Sequence, residues 1–170
     1  MKSNTEKAVT KEYFLKPGYI IVPDQPTIIS TVLGSSVAVS LYDKRRKKGG
    51  MNHFLYPFVE IPQKATAQYG NVAIPTLIKM MGVAGVPVSD LEAQVFGGAF
   101  DHTSCEKNIG KENLVAATQQ LARHRIKVVS RDIGGELGRK IVFNTHTCEI
   151  LVLRVDRLRR SDWFPYHEDR

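Results

Sequence analysis

The chain has 170 residues, 42% hydrophobic and 24% charged, which fits one globular domain with a single core and leaves little room for two. No apolar run is long enough to cross a bilayer, and polar residues 1–11 lack the continuous apolar stretch of a secretory signal, leaving the cytoplasm as the default compartment. The net charge of +7 is concentrated in a run at 44–48 and in Arg154, Arg157, Arg159 and Arg160; with no zinc-finger, P-loop, RRM or KH signature, it reads as solvated surface or attraction to an acidic protein before nucleic acid.

In chain order, residues 19–22 form a short apolar strand candidate, stopped by Pro23-Asp24-Gln25-Pro26. The β-branched run at 27–33 predicts a second strand, interrupted by Gly34-Ser35-Ser36 as a tight turn or bulge. Val37, Val39 and Leu41 alternate with smaller residues, the pattern of a strand with one packed face. Residues 43–50 read as an exposed hairpin connection ending in Gly49-Gly50, with a further strand over 51–59. Val72, Ile74, Leu77, Ile78 and Met81 fit helical spacing between 71 and 81, with Pro75 tolerable only in the first turn.

A strand at 91–96 leads into Gly97-Gly98. The clearest helix spans 108–125, with Ile109, Leu114, Ala117 and Leu121 on one side and Asn108 as a candidate N-cap. Strands at 126–130, 140–144 and 149–155 follow, separated by turns at Gly134-Gly135 and at 145–148. The pattern argues for a mixed α and β fold. Residues 1–17 are set apart as an N-terminal segment, 18–156 as the domain, and 157–170, carrying Trp163, Phe164 and Tyr166 among charges, as a C-terminal tail. Cys105 and Cys148 are too few and too far apart for a disulfide scaffold or a CxxC motif, and are expected to be free thiols.

Two segments carry chemistry. Gly34, Ser35 and Ser36 lie at the junction of two apolar strands, where a turn exposes a side chain and leaves backbone N–H groups for an oxyanion. His53 sits beside glycines near the head of a strand; if the two strands pair as a hairpin, Ser36 and His53 approach across the sheet. By themselves such a serine and histidine are usually structural, because both are common and triads are rare. The scattered histidines show no metal-ligand spacing, and the glycine pairs lack the GxGxxG spacing of a dinucleotide loop.

The order of motifs adds weight. The segment Leu33-Gly34-Ser35-Ser36-Val37-Ala38-Val39, followed by Leu41-Tyr42-Asp43, resembles the LGSCVAVxLYD signature of the CheD family. Gly49-Gly50-Met51-Asn52-His53-Phe54, Tyr69-Gly70-Asn71-Val72-Ala73 and the run from Leu91 to Ala99 resemble further family segments. So do Asn108-Ile109-Gly110-Lys111-Glu112-Asn113 and the stretch from Asp132-Ile133-Gly134-Gly135 to Gly138-Arg139-Lys140. Six blocks in order, across 19–155, form a specific signal.

The resemblance implies a chemoreceptor glutamine deamidase with a Cys-His-Thr triad. Its expected architecture is α+β: layered, sandwich-like β-sheets with two or three helices packed on one side, in a single domain. Carried over by motif, the cysteine position is Ser36, the histidine is His53 and the threonine position is Ser30, with adjacent Thr31 as the alternative third residue. Neighbours in a strand point to opposite faces, so only one of the two serves. Gly34 and Ser35 are the oxyanion candidates. The implied partners are methyl-accepting chemotaxis receptors, as substrate, and a CheC-type phosphatase; neither metal nor cofactor is implied.

Ser36 departs from the family pattern. A thiol with a pKa of about 8.5 can lose its proton to a resting imidazole. A hydroxyl needs a base acting in concert with attack. Three readings stand: an engineered replacement, a natural chain that kept the fold without the chemistry, and a working serine variant. A catalytically silent binding module, docking on receptors or a phosphatase, is the rival function.

Overall fold

The β-branched and apolar runs fold as strands because each has a face to bury, and they stack in two sheets. The computed structural model describes residues 10–103 and 107–156. Strands β1 (Lys11–Phe14), β3 (Thr27–Leu33), β8 (Gly138–Asn144) and β9 (Ile150–Val155) form a four-stranded sheet in the order β1-β3-β8-β9. Strands β2 (Tyr19–Ile21), β4 (Val37–Asp43), β5 (Lys48–Phe54), β6 (Glu92–Gly97) and β7 (Lys127–Ile133) form a five-stranded sheet in the order β2-β5-β4-β6-β7. Helices α1 (Gly70–Val83) and α2 (Ile109–Arg123) cover the outer face of the larger sheet.

Strand β4 is buried along its whole length because it has a layer on either side. Val37, Val39 and Leu41 point to the helices and pack with Ile74, Leu77, Met81 and Leu121. Ala38 and Tyr42 point the other way, into a second core with Ile29, Leu33, Ile141 and Phe143 from the smaller sheet. The result is a single α+β domain of three layers, as the resemblance implies: helices, five-stranded sheet, four-stranded sheet.

Three features depart from the sequence reading. Gly49-Gly50 do not close a turn; they lie inside β5, paired with Tyr42 and Leu41. A Cβ on Gly49 would come within 2.8 Å of the Phe143 ring, and one on Gly50 within 2.6 Å of Val22, so close packing on both faces demands the pair. Pro75 lies inside α1, beyond its first turn, so its missing N–H is a real loss; burial of Ala73, Ile74, Leu77, Ile78 and Met81 holds the helix together despite it. The segment set apart at 1–17 contributes β1, parallel to β3, and the fully buried Leu15. The basic run is exposed over 44–47, as solvated surface should be, with ion pairs along it: Arg45 and Arg46 bond Asp90 at 2.8 and 2.7 Å, Arg46 also bonds Asp43, and Lys44 lies 3.9 Å from Glu92. Cys148 is a buried free thiol; Cys105 and the tail 157–170 lie outside the described residues.

Candidate active site

The chain leaves the smaller sheet at the end of β3 and enters the larger one at β4, and residues 34–36 make that crossing. Ser36 therefore stands at the seam between the sheets, 6% exposed. Strands β4 and β5 pair antiparallel with Ala38 opposite His53, which brings residue 36, two positions earlier on the same face, against the imidazole. The Ser36 Oγ lies 2.8 Å from His53 Nε2. The expected approach across a hairpin is what the register produces.

The hydroxyl beside His53 Nδ1 is not that of Ser30 but that of Thr31, the alternative third residue. Its Oγ1 lies 2.9 Å from His53 Nδ1 and 2.8 Å from the Leu15 carbonyl oxygen. On β3 the side chains of Ile29, Thr31 and Leu33 turn into the inter-sheet layer and are buried, whereas Ser30 belongs to the opposite, partly exposed face. A motif read to the nearest residue misses this, because a slip of one position exchanges the faces.

The hydrogen-bond roles follow from the acceptors present. The Leu15 carbonyl can only accept, so the single Thr31 hydroxyl proton goes to it. Thr31 Oγ1 then accepts from Nδ1–H, which leaves the Nε2 lone pair facing the Ser36 hydroxyl. Burial pushes His53 down from its ordinary value to about 4, with the Leu15 backbone working the other way, so the imidazole is neutral at pH 7. The arrangement is that of a general base accepting a proton from a hydroxyl, oriented by a neutral third group.

The turn carrying Ser36 is fixed through its carbonyls. The Gly34 oxygen accepts from Ala99 N–H at 2.9 Å, the Ser36 oxygen from Gly98 N–H at 2.9 Å, and the Ser35 oxygen from Asn113 Nδ2 at 3.0 Å. Among the described residues, the N–H groups of 34–36 have no such partner. Gly97 ends β6 at φ +103°, and a Cβ there would sit 2.2 Å from the Ser36 carbonyl oxygen, so only glycine fits beneath the turn.

A cleft of about 350 Å³ opens beside it, lined among others by Gly34, Ser35, Phe100, Lys107, Glu136 and Asp156. Next in sequence to the lining residue Gly138, Arg139 is 2% exposed and donates to Asp132 at 3.0 Å and to the carbonyls of Leu137 and Gly134 at 2.8 and 2.7 Å. Sequence reasoning passed over Gly97, Asn113 and Arg139 in this setting; the ordered motifs containing them were the available signal. Among the described residues, no group of three or more His, Cys, Asp and Glu side chains is placed to hold a metal ion, and no helix is long and apolar enough to cross a membrane.

The chain is similar in sequence to known proteins. The profile of the family described as CheD chemotactic sensory transduction matches residues 58–154. A probable chemoreceptor glutamine deamidase CheD of Trichlorobacter lovleyi is 41% identical over 154 residues, 89% of this chain and 96% of that protein. The corresponding CheD 1 of Anaeromyxobacter dehalogenans is 42% identical over 135 residues, 78% of each chain. One from Methanococcus maripaludis is 35% identical over 141 residues, 81% of this chain and 92% of its own. A match spanning 89% of the chain necessarily includes the segment from Ser36 to His53 as well as both helices. On the strength of that coverage, together with the six ordered motifs, this chain belongs to the CheD family.

Proposed function

We propose that this chain is a protein-glutamine deamidase scaffold acting on methyl-accepting chemotaxis receptors, hydrolysing a glutamine carboxamide to glutamate and ammonia. The observation that carries the reading is the polarised chain from Ser36 Oγ through His53 to Thr31 Oγ1 and the Leu15 carbonyl, with distances of 2.8, 2.9 and 2.8 Å. Ser36 Oγ attacks the amide carbon while His53 Nε2 takes its proton, and the carbonyl π electrons move to oxygen. The oxyanion is held by N–H groups of 34–36, the group containing the expected Gly34 and Ser35. The tetrahedral intermediate collapses with loss of ammonia, the proton returning from Nε2 to the leaving nitrogen. Water, deprotonated by the same imidazole, then cleaves the ester and restores Ser36.

Ser36 limits this chemistry. A buried imidazole pushed down to about 4 is a weak base for either nucleophile, and a thiol, being far more acidic than a hydroxyl, asks less of it. With a purified glutamine-bearing receptor fragment, Ser36→Cys is expected to raise the rate of ammonia release by about 10³-fold or more, the scale of a single catalytic group. An inert Ser36→Cys variant, beside a relative active on the same receptor, would end the assignment.

The missing thiol also favours a second reading: a catalytically silent module that binds receptors or a CheC-type phosphatase in the cytoplasm. Tight receptor binding by the chain, with no glutamate formed over many hours, distinguishes that role.

A further inference from the structure

The Asn108–Asn113 motif opens α2 and has no part in the proton path. Asn108 caps the helix, its side chain accepting from Lys111 N–H at 2.8 Å. Gly110 allows the first turn to press on the end of β6, since a Cβ there would lie 2.5 Å from both the Gly98 and Ala99 carbonyl oxygens. That close approach delivers Asn113, 0% exposed, between the turn carrying Ser36 and the end of the strand carrying His53. Its Nδ2 donates to the Ser35 carbonyl at 3.0 Å and to the Leu55 carbonyl at 2.9 Å. Each contact lies next to the reactive segment: Ser35 directly precedes Ser36, and Leu55 directly follows the end of β5, two positions beyond His53.

We propose that Asn113 is a positioning residue that clamps the Ser36 turn to the His53 strand and so sets the distance across which the proton passes. The amide can work in one orientation only. Two carbonyls face Nδ2, so a flipped amide would oppose oxygen to oxygen; Oδ1 is left buried and without a partner among the described residues. The buried Oδ1 is a cost to stability that the side chain bears while its Nδ2 serves both carbonyls. An apolar residue of the same size would leave both carbonyls without this donor and untie the two backbones. Together with the Gly98 and Ala99 amides, Asn113 holds all three carbonyls of 34–36.

The inference rests on the proposed chemistry, and the test separates the two. In Ser36→Cys protein, the rate of alkylation at position 36 by iodoacetamide is followed against pH, with the site verified by peptide mass spectrometry. A triad-activated thiol reacts with a midpoint well below the ordinary value of about 8.5. Adding Asn113→Ala is expected to raise that midpoint by about one unit and slow alkylation at pH 7 about tenfold, reflecting a weakened imidazole contact. An activated thiol whose pH profile is unchanged by Asn113→Ala, even if melting falls, overturns the positioning role alone. An ordinary midpoint before Asn113 is altered overturns the proposed chemistry and this inference with it. Should Asn113→Ala fail to fold, the unaltered chain supplies a second measurement: both Asn113 side-chain NH₂ protons are expected to exchange slowly with solvent, and fast exchange would refute the clamp.

Discussion

Thr31 and Ser30 are neighbours with the same functional group, yet the structure gives them unrelated surroundings. Only Thr31 reaches His53, and its own proton is committed to Leu15, so it fixes the tautomer that presents a lone pair to Ser36. Thr31→Val keeps the shape and removes the acceptor, leaving Nδ1–H buried without a partner. In a Ser36→Cys background we expect a loss of ammonia release of about 10²-fold or more and a stability cost of about 1–3 kcal/mol. Ser30→Ala, on the outer face, is expected to change stability by no more than about 0.5 kcal/mol and to leave the rate unaltered. Parallel deamidation assays and urea titrations of the two variants decide the assignment; equal losses would reverse it.

Among the elements, the end of β6 does more than its short glycine sequence suggests. Gly97 and Gly98 both have positive φ, but the first also underlies the Ser36 carbonyl and the second lies under Leu114 of α2. A tight turn, the expectation for Gly134-Gly135, describes that pair adequately: φ values are +70° and +68°, with open space where a Cβ would project. A matched pair of substitutions separates the two situations. Gly134→Ala is expected to cost about 1 kcal/mol from backbone strain alone. Gly97→Ala adds a collision with backbone oxygen, and we expect a cost of about 3 kcal/mol or more together with loss of reactivity at position 36. Thermal melts compare the stabilities, and equal effects would remove Gly97 as the support of the turn.

For the molecule as a whole, the burial of His53 between two sheets makes stability depend on pH. Its pKa in the folded chain is about 4, below an unfolded value of about 6.5, so between them the unfolded chain binds more protons. The stability associated with the neutral ring is present above pH 6.5 and is lost as pH falls toward 4, on the order of 3 kcal/mol. Asp43 and Asp132 act lower in pH: burial opposes their ionisation, but hydrogen bonds from Arg46 to the first, and from Arg154 and Arg139 to the second, outweigh it. Urea unfolding at pH 7 and pH 4.5 is therefore expected to show a drop that disappears in His53→Gln; an unchanged drop would place its origin elsewhere.

The chain's own order of residues determined much of this protein: the strand at Thr27–Leu33, the turn at 34–36, both helices to within a few residues, and Ser36 and His53 as partners on paired strands. These were legible because period, propensity and turn chemistry are local, and because the motifs recur in order. What the tertiary structure decided was everything that depends on a second layer. Which of Ser30 and Thr31 meets the imidazole turns on which face of β3 is covered by the other sheet. The need for Gly49 and Gly50 comes from Phe143 and Val22, each distant in sequence. Asn113 acquires its role from carbonyls 78 and 58 positions away. Contacts of that range are made when layers close on one another, and no local pattern along the chain encodes which atoms will then be neighbours.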